Sequence, residues 1–89
     1  LVRAEAAVKV ISTTGTPTIQ IRDVTGAADM LSTKITIDSG EKTSYTAVTA
    51  SVVDTANDTV VTGQEIAIDI DSAGTGTEDL YVILTLRKP

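Results

Sequence analysis

The stretch that decides the fold is EIAIDIDSAGTGTEDLYVILTL, residues 65–86. In its first half Glu65, Ala67, Asp69 and Asp71 alternate with Ile66, Ile68 and Ile70, and in its second Leu80, Val82, Leu84 and Leu86 alternate with Tyr81, Ile83, Thr85 and Arg87. A period of two sends successive side chains to opposite faces of a strand, so each half predicts a strand with one buried aliphatic face. The small residues between them predict a hairpin with a long loop. Its register would put Ile68 and Val82 inward and bring Tyr81 and Ile83 beside Asp69 and Ala67 on the outer face.

Composition agrees with strands. The chain has 89 residues, no Phe, Trp, Cys or His and only two Tyr; its apolar residues are mainly branched aliphatics, and Thr is its commonest residue. A domain of this size buries roughly 60 to 65% of its unfolded surface, and without disulfides, a zinc set or large rings its readiest extra support is association with other copies. A net charge of -5 and a pI near 4.4 argue against nucleic acid as a partner, which needs a cationic patch. No apolar run approaches the roughly 20 residues of a membrane-spanning helix, so no membrane partner is expected. The sequence begins at Leu1 without an initiator Met, as expected of a processed chain or of the carboxy-terminal part of a longer one.

Outward from the deciding stretch, Val2–Ile11 places Val2, Ala4, Ala6, Val8 and Val10 on one face and Arg3, Glu5 and Lys9 on the other; a helix also fits its alanines, but the clean alternation and the lack of a capping residue favour a strand. Ser12–Pro17 is a loop, and Thr18–Val24 is a strand with Ile19 and Ile21 inward and Gln20 and Arg22 outward. Gly26 permits a reversal before Ala27–Leu31, a short strand or helical turn. Strands over Lys34–Asp38 and Lys42–Val48 flank a tight turn in which Gly40 supplies positive φ. Ser51–Gly63 is a connection with one helical turn. The expected fold is therefore all-β: one small antiparallel β-sandwich or jelly roll of seven or eight short strands, a single domain over residues 1–89.

Three groups of residues are candidate sites. Asp69, Asp71 and Asp79 could offer oxygens to calcium, but their spacing lacks the Gly and the terminal Glu of an EF-hand loop, and acids also line hairpin rims because they are solvated. The expected metal is none. Paired carboxylates also suggest glycoside hydrolysis, yet nothing aromatic or apolar is available to raise one pKa, and Ser or Thr nucleophiles lack a His base. Neither enzyme activity nor a cofactor is expected. Asn57-Asp58-Thr59 matches a glycosylation acceptor and reads more simply as a turn. The interface candidates are Tyr81, Ile83, Ala67, Val60 and Val61, with Ala7, which together would make an apolar patch for a neighbour.

The segments DMLSTKITIDSGEKTS (29–44), AVTASVVDTANDTVVTGQEIAIDID (47–71) and AGTGTEDLYVILTL (73–86) resemble a module of small β-sandwich virion accessory proteins of tailed bacteriophages. The likeness covers roughly residues 18 to 87, with Gln64 where the pattern has an acid. It implies a structural protein at the virion surface: a decoration, cement or head-fibre subunit, or a tail-fibre module. It also implies a homo-oligomer, a trimer favoured, that contacts the major capsid protein or another virion protein. Two alternatives stay open: a carbohydrate- or host-surface-binding module of a tail fibre, and a subunit of a bacterial surface layer or filament.

Overall fold

A computed structural model describes residues 1–87. It is all-β, with eight strands: β1 (Arg3–Val10), β2 (Thr18–Asp23), β3 (Ala28–Asp29), β4 (Leu31–Thr33), β5 (Ile35–Thr36), β6 (Val52–Val53), β7 (Ile66–Ser72) and β8 (Glu78–Thr85). β1 and β8 form one antiparallel sheet; β2 is the centre of another, with β7 on one side and β3 and β5 on the other; β4 and β6 form a third, short ladder.

The core lies between the first two sheets. Ala4, Ala6 and Val8 of β1 face Ile19 and Ile21 of β2, and Met30, Leu31, Ile35 and Ile37 close the cluster, all buried. Alternation therefore decides both β1 and β2. It fails at Glu5 and Gln20, both expected outward and both buried. Each is covered because its polar atoms replace missing backbone partners. The Gln20 amide donates to the Leu31 carbonyl at 3.0 Å and accepts from the Leu31 and Ile21 N–H groups at 3.1 and 3.0 Å. Glu5 accepts a short hydrogen bond from Ser44 Oγ, which in turn accepts from the Ala6 N–H at 2.9 Å.

The hairpin expected over residues 65–86 does not form. β7 pairs with β2 (Ile21 opposite Ile68) and β8 pairs with β1 (Ala6 opposite Val82), so the two strands lie in different sheets. The linker explains the difference. Gly74 and Gly76 take φ of +69° and +79°, and this double left-handed step turns the chain between layers instead of within one, an arch that sets the two aliphatic faces toward each other. Residues 11–17 make the same passage from β1 to β2. The two arches stack: the Thr13 N–H donates to the Thr75 carbonyl and the Thr75 N–H to the Thr14 carbonyl, both at 2.9 Å. Buried Ser12 fastens them further, donating to the carbonyls of Thr14 and Gly15 while its own carbonyl accepts from the Gly40 N–H and Ser39 Oγ.

Between the arches in sequence, residues 28–53 run from the edge of β2 to the edge of β1. The strand expected over Lys42–Val48 is instead a bridge from Thr43 to Ala7 followed by a 3₁₀ turn at Ser44–Thr46, since Ser44 is drawn inward to Glu5. The turn over residues 38–41 is present, with Gly40 at φ +83°, but the strand before it shrinks to β5. The helical turn expected within Ser51–Gly63 is replaced by β6 and two hydrogen-bonded turns.

Candidate docking surface

The two lateral sides of the sandwich differ. On one side residues 28–53 cover the edges of both sheets: β3 and β5 pair with β2, the Lys42 carbonyl accepts from the Val8 N–H, and Ser51 Oγ donates to the Ala4 carbonyl. On the other side β7 and β8 are the last strands of their sheets, and no other strand among the described residues pairs with either outer edge.

The uncovered side is aliphatic. In directly opposed antiparallel residues the side chains share a face, so Ile68 and Ile70 point the same way as Ile21 and Ile19. Yet Ile19 and Ile21 are fully buried, while Ile68 and Ile70 are 49% and 55% exposed. Ile66, Leu80, Val82 and Leu84 also face inward and are half-buried against the core. The notebook of alternation thus reads Ile68 correctly as inward-facing, but no second layer reaches over it.

The backbone on this side is unpaired as well. In an antiparallel strand the N–H and C=O of one residue point to the same side and alternate along the chain. The Ile21 carbonyl accepts from Met30, away from β7, so its opposite number Ile68 turns its own N–H and C=O to the free edge. The same logic holds in β8. Ala4, Ala6 and Val8 bond to Ser51, Ser44 and Lys42, away from β8, which leaves the groups of Leu80, Val82 and Leu84 outward. Neither β7 nor β8 holds a Lys or Pro, two devices that blunt an exposed edge.

A shallow groove of about 130 Å³ opens at the arch end of this side, lined by Pro17, Ile19, Ile70, Ala73, Thr77 and Leu80 among others. It is smaller than the roughly 300 Å³ at which small-molecule pockets begin. Its lining is chiefly apolar, and it suits a protein side chain.

The outer faces hold the residues singled out in the sequence. Asp69 receives both Arg22 Nε at 2.8 Å and a second guanidinium nitrogen at 3.4 Å, and Asp71 contacts Lys34 Nζ at 2.7 Å. The hydrogen bond and charge of Asp69 raise the pKa of Arg22, and those of Asp71 raise that of Lys34. Asp79 is on the other sheet at φ +55°, so the three acids considered for calcium are not brought together, and no cluster of three or more His, Cys, Asp or Glu among the described residues could hold a metal ion. Tyr81 and Ile83 are exposed on the outer face of β8, paired with Ala7 and Glu5. Ala67 is on the outer face of β7, in the opposite layer. Val60 and Val61 flank a separate hollow with Leu1, Val2 and Arg87. The single patch expected from a hairpin is therefore divided among three places. What sequence reading missed is the open flank, whose only signal was two long aliphatic strands without edge-protecting residues.

Comparison with protein-family models, with curated proteins and with solved structures gives no match.

Proposed function

We propose that this chain is a structural virion protein of a tailed bacteriophage, a decoration, cement or head-fibre subunit that assembles with itself and docks on the capsid to stabilise or extend it. The observation that carries the reading is the open aliphatic flank of β7 and β8, where a domain with a small core leaves inward-facing Ile68 and Ile70 half in solvent. Surface of this kind favours association, and the resemblance of residues 29–44, 47–71 and 73–86 to virion accessory modules supports a phage shell as the larger partner. On such a shell the subunit acts by burying area at a junction, which requires no reactive group.

The test is binding to expanded heads of tailed phages stripped of their accessory proteins. Saturable co-sedimentation at a fixed number of copies per head, with a rise in the temperature at which heads rupture, is the expected result. Binding to host cells or isolated cell-surface polysaccharide, with none to heads, would replace this reading by the host-recognition one.

A further inference from the structure

We infer that the open flank is the seat of a second copy of this chain, whose β8 adds antiparallel to β7 while its β7 edge is left to receive the next β8, so that the copies close around an axis parallel to the strands. The inference rests on the self-assembling part of the reading above and is independent of the shell.

Backbone and side chains demand the same register. On β7 the outward N–H and C=O groups belong to Ile66, Ile68 and Ile70, and on β8 to Leu80, Val82 and Leu84, as the pairings with β2 and β1 dictate. These same residues carry the inward aliphatic side chains. Any alignment that hydrogen-bonds the two edges therefore also sets aliphatic opposite aliphatic on the inner side, for example Ile70 opposite Val82, Ile68 opposite Leu84 and Ile66 opposite Leu86.

Charge chooses which edges meet. The outer row beside β7 is acidic, with Glu65, Asp69 and Asp71, so pairing β7 with another β7 would set acids against acids, a destabilising cross-strand arrangement. The outer row of β8 runs Asp79, Tyr81, Ile83, Thr85 and then Arg87. In the register just given, Glu65 meets Arg87, Asp69 meets Ile83 and Asp71 meets Tyr81, with no like charges opposed.

The area suffices. Strands of seven and eight residues are about 25 Å long, and two layers about 10 Å apart with their outer side chains span about 20 Å. That is on the order of 500 Å² in projection, which side-chain relief brings toward the ~800 Å² per partner of a standard interface. Because residues 28–53 close the opposite side, edge pairing cannot propagate from both flanks, and a closed ring of few copies results in place of an open filament.

Sedimentation equilibrium on the full chain, with amide exchange at high and low concentration, tests this. A dimer or trimer is expected, with the amides of Ile68, Val82 and Leu84 protected only where it forms. Ile68→Lys with Ile70→Lys should keep the melting profile of the dilute chain and raise the dissociation constant at least about a hundredfold, since each Lys is desolvated only when a partner arrives. Glu65→Arg alone should weaken association, and Glu65→Arg with Arg87→Glu should restore it. A monomer at several hundred micromolar overturns the inference, as does an oligomer indifferent to all these variants with the edge amides unprotected. Since head binding is scored separately, an oligomer built on another face that still binds heads refutes this inference and leaves the virion reading standing.

Discussion

Ile21 and Ile68 lie directly opposite each other on the same face of one sheet, so truncating each to Ala removes the same atoms from places that differ only in what covers them. Ile21 is fully buried among Ala4, Ala6, Met30 and the other core residues, and its loss combines the transfer of three carbons with a cavity that two sheets cannot collapse, about 3 to 4 kcal/mol. For Ile68, 49% exposed on an open flank, roughly half of the transfer term survives and no enclosed cavity forms, giving about 1 kcal/mol. At this chain length each kcal/mol moves the melting temperature by about 4 to 8 °C. Ile68→Ala should thus melt about 5 °C below the parent, whereas Ile21→Ala removes a large share of a total stability of about 5 to 13 kcal/mol. Urea titrations followed by circular dichroism at low micromolar concentration, where the chain is dilute, measure both. Equal losses for the two variants in the dilute chain would refute the claim that the flank is uncovered. A loss for Ile68→Ala that grows with protein concentration would locate its missing cover in another copy.

Three further outcomes follow from the arches and the outer faces. Gly74→Ala should cost about 2 to 4 kcal/mol in thermal melts, because φ is +69° and a Cβ there meets the Ser12 side chain and Pro17, while Gly40→Ala, at φ +83° with nothing within 4 Å, should cost only the conformational term of about 1 kcal/mol; equal costs would show that the arch contact is slack. Calcium or a chelator should leave the melting temperature unchanged, since Arg22 and Lys34 already occupy Asp69 and Asp71, and a rise of several degrees with calcium would overturn that account by mass action. Hydrogen bonds from Asn57 Nδ2 at 2.9 Å and the Ala56 N–H at 3.1 Å hold the Asp54 carboxyl below its ordinary pKa; a depressed folded-state value stabilises the turn above the unfolded value, and that contribution fades as pH falls through the folded one. Amide exchange at Ala56 and Asn57 should therefore quicken on acidification, an effect absent from Asp54→Ala.

The strands that alternate over six or more residues were legible in the sequence. β1, β2, β7 and β8 lie close to where the period of two puts them, because in each case one face meets the core. Their partners were not legible. Alternation states which face of Ile68 or Val82 turns inward but not which strand lies beside it, and a loop of Ala, Gly and Thr is as compatible with a hairpin as with an arch until the two glycine dihedrals are known. Gln20 and Glu5 defeated the polar-outward rule because their side chains take the place of backbone groups, a satisfaction that depends on Leu31 and Ser44, 11 and 39 residues away. The short elements β3 to β6 carry too few residues for any period to show. The candidate site suffered most, since a patch drawn on a hairpin came apart once its two strands were assigned to different layers.

The pairing of Arg3 with Thr85 joins the first strand to the last, and the order in which the molecule can be built follows from it. A high contact order makes for slow folding, because the entropy of closing almost the entire chain is spent before that ladder forms a single bond. β2 is under the same constraint, since one of its edges waits for β7. During synthesis the amino-terminal arch must stay without its neighbour until residues beyond 80 have left the ribosome, with Ala4, Ala6, Val8, Ile19 and Ile21 still accessible to other chains. Such a protein matures all at once and at the end, and until then its growing chain is most exposed to pairing with the wrong strand.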